Sequence, residues 1–242
     1  MKLHFVVSDP KDVAQLSAIG VKCFLSSYYY MKKRSPAVFI AHDTLIDSGG
    51  FTARMKGIEI PVEAYAKWLK TYGVKTAFNL DVLDVRKSFE NQRYLEKYSG
   101  AYIIPVYHLS DYNSQRELIA EFKRYPYVSV GGVVGEKSDP AVRWSFYAYV
   151  FKTLSEATKV HGLGITAIKE LESFPWYSVD SLSWRYPSLY PSVRRYLRLP
   201  ERMAAYASTE GDKGYARRRG VEMMLDRERS VTELWASRGV VW

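Results

Sequence analysis

Short runs of β-branched and aromatic residues, each closing on polar or glycine positions, recur eight times along the chain. They cover about 3–8 (LHFVVS), 22–29 (KCFLSSYY), 43–47 (DTLID), 76–82 (TAFNLDV), 102–108 (YIIPVYH), 127–133 (YVSVGGV), 159–165 (KVHGLGI) and 177–183 (YSVDSLS). The third run has an alternative start at Ala37, because AVFIA is equally strand-like. Helical patterns lie between most of them. Pro61 opens one at its first position, with Val62, Tyr65, Leu69 and Tyr72 on one face. A second spans about 88–98 and stops near Gly100. Ser114 and Glu117 make a capping-box pattern ahead of Leu118 and Phe122, and Pro140 opens a long helix to about Thr158. Strand and helix alternating eight times predict a parallel barrel or a doubly wound sheet. Eight strands within about 180 residues favour the closed form with short helices, a single-domain (β/α)8 TIM barrel over about 1–184. No internal repeat or low-complexity linker interrupts it.

The segment after Trp184 has another character. Residues 185–229 hold eleven Lys/Arg against six Asp/Glu, a net +5, and a basic, mainly helical extension over about 185–242 is expected. Arg185, Arg194, Arg195 and the run Arg217, Arg218, Arg219 are candidate phosphate contacts, with a solvated helix face as the alternative use of those charges. The whole chain carries +9, which favours a polyanionic partner, nucleic acid first. Its twenty tyrosines and six tryptophans offer stacking surface, although most are expected in the core. The lone cysteine, Cys23, excludes a disulfide framework and a cysteine-rich zinc site, and reads as a small buried strand residue. No apolar run is long enough to span a bilayer. MKLHFVVSDP reads as a first strand and not as a signal peptide, so a cytoplasmic location is expected.

In such a barrel the active site lies at the C-terminal ends of the strands. The residues there are Asp47-Ser48-Gly49-Gly50-Phe51, Asn79-Leu80-Asp81, Tyr107-His108, Gly131-Gly132 followed by Gly135-Glu136, Gly162-Leu163-Gly164, and Asp180-Ser181. Three aspartates from three strands would meet at one mouth. Carboxylates gathered in a partly buried place raise one another's energy, so their convergence points to chemistry. Singly, each residue has a plainer explanation. Asp47 before two glycines fits a turn, Gly131-Gly132 a bulge or close packing, and His108 a hydrogen-bonded structural histidine.

DSGGF at 47–51 resembles the DSGGFQ motif of the tRNA-guanine transglycosylases. GGVVGE at 131–136 is similar to their glycine-rich GGLxVGE loop, one residue shorter. HGLGIT at 161–166 is similar to their MGVGTP segment, and VDSLSW at 179–184 to the segment bearing their nucleophilic aspartate. These matches fall in the family's order across residues 47–184. SSYYYMKK at 26–33, NLD at 79–81 and PVYH at 105–108 look most like the short phage-type enzymes that place 7-deazaguanine bases in DNA. Threonine at 52 stands where the tRNA enzymes have glutamine, and the chain cannot build their three-cysteine, one-histidine zinc site.

The resemblance implies exchange of guanine in nucleic acid, DNA before tRNA, for a free base such as 7-cyano-7-deazaguanine, with no cofactor. It implies Asp180 as nucleophile and Asp47 as general acid/base. Asp81 would read the base, with Ser48, Gly49, Phe51, His108, Gly131, Gly132 and Glu136 around it. If virus-encoded, the enzyme would act in the host cytoplasm. A queuosine- or archaeosine-type tRNA enzyme, an unrelated phosphate-binding barrel and a catalytically silent nucleic-acid-binding barrel are the alternatives. Oligomeric state stays open.

Overall fold

The computed structural model describes residues 1–32, 36, 39, 42–82, 84–132, 139–186 and 213–242. Its centre is one all-parallel sheet. The strands are β1 (Lys2–Val6), β2 (Cys23–Ser27), β3 (Asp43–Asp47), β4 (Thr76–Phe78), β5 (Tyr102–Ile104), β6 (Val106–His108), β7 (Tyr127–Gly131), β8 (Lys159–Gly162) and β9 (Ser178–Ser181). Their spatial order is β5-β4-β3-β2-β1-β9-β8-β7-β6. Strands β5 and β6 are the two halves of the predicted 102–108 run. Pro105 lies between them and has no N–H for the ladder, which splits the strand. The first half pairs with β4 and the second with β7. The Pro105 carbonyl still accepts from the Ser129 N–H at 2.9 Å, so the ladder returns on itself. The result is the eight-position TIM-type barrel expected from the sequence.

Each strand feeds two cores by its period of two. Leu3, Phe5, Phe24, Ile46, Ala77, Ile103, Val128, Val160 and Val179 belong to the large core shared with the helices. Leu25, Leu45, Phe78, Ile104 and Val106 form a smaller cluster from successive strands, which fills the barrel. The strand expectations were right in place but ran long at their C-terminal ends. Residues 79–82, 132, 163–165 and 182 are loop; Asp81 stands in the first of these turns, while Asp47, His108 and Asp180 lie at or next to the last residues of their strands.

Several helices begin where a side chain satisfies a first-turn N–H group. Asp9 accepts from Lys11 ahead of α1 (Pro10–Ala18), with Pro10 at a first-turn position. Pro61 precedes the helix Val62–Thr71, where Tyr65 and Leu69 are fully buried but Tyr72 is exposed. Asp84 caps Val85–Tyr98, and Asp139 caps Pro140–Thr153, which ends earlier than expected. The Ser114–Glu117 capping box does not form. Ser114 ends a helix, Leu109–Ser114, and its hydroxyl donates to the Ser110 carbonyl. The box is made six residues earlier by His108 and Asp111. Strand three starts at Asp43, and Phe39 is helical.

The C-terminal helix Lys213–Ser237 is built into the barrel's outer layer. Val221, Met224, Val231 and Trp235 join the main core. Glu228 accepts from the Leu3 N–H at 2.8 Å, and the Trp235 indole donates to the Leu171 carbonyl at 2.9 Å. The expected boundary at 184 therefore marks a change in composition, while the packing is continuous across it.

Candidate active site

Asp47 ends β3, Ser48 follows it, and the chain then turns at once. The Asp47 carboxylate accepts from the Gly49 N–H at 2.9 Å. Gly49 sits at φ +77°, where a Cβ would meet Ser27 Oγ and Tyr29 Cβ, both at 2.4 Å. Only glycine satisfies both demands, so this loop lies directly on the end of β2. A Cβ on Gly50 would reach the Asp81 carbonyl at 3.1 Å, which ties the loop to the end of β4 as well. Ser48 is buried, and its hydroxyl accepts from the Gly50 N–H.

Asp180 lies on β9, 8% exposed. Its Oδ1 accepts from the Gly164 N–H at 2.8 Å and lies 3.2 Å from His161 Nε2. Gly164 takes φ +68°, which lets the turn after β8 aim its N–H at the carboxylate. Asp81, after β4, is held by His108 Nε2 at 2.5 Å. The capping box uses the same imidazole, whose side chain accepts from the backbone of Asp111. Gly131 and Gly132 make room for that ring, with added Cβ atoms 3.4 Å from His108 Cε1 and 3.0 Å from Nδ1.

The three aspartates share one field. Burial lifts Asp47 to about 7; the charges of Asp81 and Asp180 add to the lift, and the Gly49 hydrogen bond opposes it. Asp47 thus exchanges a proton near neutral pH. Burial alone would lower His108, but the hydrogen bond and charge of Asp81 raise it overall. A protonated ring cannot accept from the Asp111 N–H, so the helix cap pulls in the opposite direction. A cleft of about 510 Å³ opens beside Asp81, walled by Gly50, Arg54, Leu80 and Val82 among others; Asp47 and Asp180 are not in its walls.

Other expected site residues fall elsewhere. Phe51 is exposed, with the Arg54 guanidinium 5.5 Å from its ring centre. Arg185 binds the buried carboxylate of Asp12 at 2.8 Å, and Arg217 lies 3.7 Å from its other oxygen. Both guanidinium groups stand over Trp184. Arg218 and Arg219 pair with Glu222 along their helix. This cluster joins the C-terminal helix to α1, a structural use of charges expected at a phosphate surface. Glu136, Arg194 and Arg195 lie outside the described residues. Cys23 is only partly buried at the start of β2, and burial raises its thiol to about 11.

Sequence reasoning missed His161. HGLGIT drew attention to its glycines, yet a histidine one residue before the end of a barrel strand was the available signal.

The fold and these strand ends define an α/β barrel with an acidic mouth. No protein-family model matches the chain. It is similar to "Uncharacterized protein 306" of Sulfolobus islandicus rod-shaped virus 1, with 26% identity over 176 residues, covering 66% of this chain and 55% of the relative. The chain thus spans about half the length of that viral protein. Among the described residues no helix is long and apolar enough to cross a membrane.

Proposed function

We propose that the protein is a transglycosylase that exchanges guanine in nucleic acid, DNA in preference to tRNA, for a 7-deazaguanine base. The observation that carries this is the meeting of Asp47, Asp81 and Asp180 at one barrel mouth, where burial, with the charges of Asp81 and Asp180 added, brings Asp47 to about 7. A double displacement needs two carboxylates in different roles, one ionised to attack and one able to hold and return a proton.

Both described hydrogen bonds to Asp180 fall on Oδ1, which leaves Oδ2 to attack C1′ of the target nucleotide. The C1′–N9 bond breaks, its electron pair goes to guanine, and the Asp47 proton neutralises the departing base. The incoming 7-deazaguanine then gives its N9 proton to the Asp47 carboxylate. N9 attacks C1′ and releases Asp180, so two inversions retain the sugar configuration. Asp81, oriented by His108, accepts from the N1–H and exocyclic amine of the bound base. A guanine in duplex DNA must first leave the stack. The similarity to a virus protein favours a virus-encoded enzyme working in the host cytoplasm.

The test is incubation with duplex DNA or a tRNA transcript plus 7-cyano-7-deazaguanine, followed by nucleoside mass spectrometry. Incorporation into DNA that Asp180→Asn abolishes is the expected result. Incorporation into tRNA alone would move the substrate, and none into either would remove the proposal.

A further inference from the structure

We infer that His161 is the positioning residue of Asp180, and that its ring is itself set from deeper in the barrel by Ser178 and Tyr127. The kinetic part of this inference rests on Asp180 being the nucleophile; the geometric part does not. His161 is fully buried on β8. Its Nε2 lies 3.2 Å from Asp180 Oδ1, and its Nδ1 lies 2.7 Å from Ser178 Oγ. Ser178 Oγ is in turn 2.6 Å from the Tyr127 hydroxyl. Ser178 and Asp180 are two apart on β9 and so share the face that His161 meets. Phe78 and His4 pack against the imidazole at ring-centre distances of 4.9 and 5.8 Å. The His4 Nδ1 has no hydrogen-bond partner among the described residues, so the chain does not branch through that atom.

For an ionised Asp180 and a singly protonated imidazole, proton counting fixes the direction of the whole chain. An ionised Asp180 can only accept, so Nε2 must carry hydrogen. A singly protonated imidazole then has Nδ1 as its acceptor, and Ser178 must donate to it. Ser178 has one hydrogen, so toward Tyr127 it accepts, and the phenol donates. Burial raises Tyr127 well above its ordinary value, which keeps that hydrogen in place. Three links thus point one way, from Tyr127 to Asp180. With the Gly164 N–H as second donor, Oδ1 is pinned and the carboxylate plane is fixed. A Met or Phe at 161 would fill the barrel and give Asp180 no such hold. A buried polar chain of this kind costs desolvation, and its full satisfaction is what makes it specific.

The experiment uses the full-length, ¹⁵N-labelled protein and long-range ¹H–¹⁵N correlation of the histidine rings at neutral pH. His161 is expected as the Nε2–H tautomer. Asp180→Asn should shift its Nε2 signal, and Ser178→Ala its Nδ1 signal. An Nδ1–H tautomer, or ring signals unmoved in both variants, would overturn the inference. In the exchange assay, His161→Phe should lower kcat about 100-fold with KM little changed, as expected for a misplaced reacting group. His161→Gln, which can still donate to Asp180, should recover part of that loss. A folded His161→Phe with the wild-type kcat would also overturn the inference. Tyr127→Phe and Ser178→Ala remove one hydroxyl each and keep the test open if His161→Phe does not fold. If the wild type exchanges no base, the proposed function fails by itself, and the tautomer with its response to Asp180→Asn still decides the positioning role.

Discussion

Asp47→Asn separates the field of the acidic mouth from everything else that titrates. The wild-type carboxyl has a folded value of about 7 against an ordinary 3.8. The native state therefore binds a proton that the unfolded chain has lost over this interval. With more protons bound in the native state, stability falls as pH rises, by about 1.4 kcal/mol per pH unit for one proton. Across an interval of roughly three units this comes to about 4 kcal/mol, lost by neutral pH and constant above it. Asparagine mimics the protonated acid in shape, and its carbonyl oxygen can still accept from the Gly49 N–H. The variant should match the wild type near pH 4 and exceed it by about 4 kcal/mol near pH 8. Urea unfolding of both proteins from pH 4 to 8 measures this difference. Other raised acids, such as Glu170 and Glu228, contribute equally to both proteins and cancel. A difference that stays flat with pH would show that Asp47 ionises as an ordinary aspartate and feels neither burial nor Asp81 and Asp180. The same variant should be impaired in exchange, so a gain in stability would accompany a loss of activity.

The remaining predictions use the same site and its supports. Asp180→Asn should abolish a covalent protein–nucleic acid adduct on a denaturing gel while leaving binding intact; an adduct surviving in this variant would move the nucleophile, with Asp47 next. Gly49→Ala should destabilise the protein by about 2–4 kcal/mol, because a Cβ would clash with Ser27 and Tyr29 at a positive φ; a melting curve unchanged from wild type would refute the loop packing. Asp81→Asn should lower the His108 value followed by NMR. The Asp81 pair stabilises the imidazolium, so its contribution to stability is present below about 6.5 and is lost as pH rises through the raised value. Asp12→Ala should destabilise the protein by about 1–3 kcal/mol in urea unfolding, because it removes the buried carboxylate that Arg185 and Arg217 share between α1 and the C-terminal helix. Arg218→Gln should change the salt dependence of nucleic-acid binding by at most one contact.

The barrel was legible because its strands are bounded by turn residues and two of its helices begin at or just after Pro61 and Pro140. What the chain pattern could not supply was the use of each polar residue once neighbours arrive. Arg185 and Arg217 count as two positive charges in a basic segment, but each has a partner in the buried Asp12, far away in sequence. Asp12 itself looks like a routine first-turn acid on α1. Composition sees the sum of charges, whereas binding depends on those left without an internal counterion.

His161 and His108 make the same distinction inside the barrel. Both are strand residues beside glycine-rich turns, and both meet an aspartate through Nε2. Their other ring sides differ. His108 ties its ring to a helix start, where protonation would leave the Asp111 N–H without its acceptor, whereas His161 ties its ring to a hydroxyl, which is able both to donate and to accept. The Asp81 pair is therefore coupled to the folding of a helix end, and the Asp180 pair to a side-chain chain within the barrel. A base-reading carboxylate requires a fixed frame, and the helix end provides one. An attacking carboxylate must lose and regain its charge within each turnover. In the proposed exchange the Ser178 hydroxyl holds the imidazole with its Nε2–H toward Asp180 without tying the ring to the backbone, so the proposed nucleophile has a side-chain partner and the proposed base reader a helix-capping one.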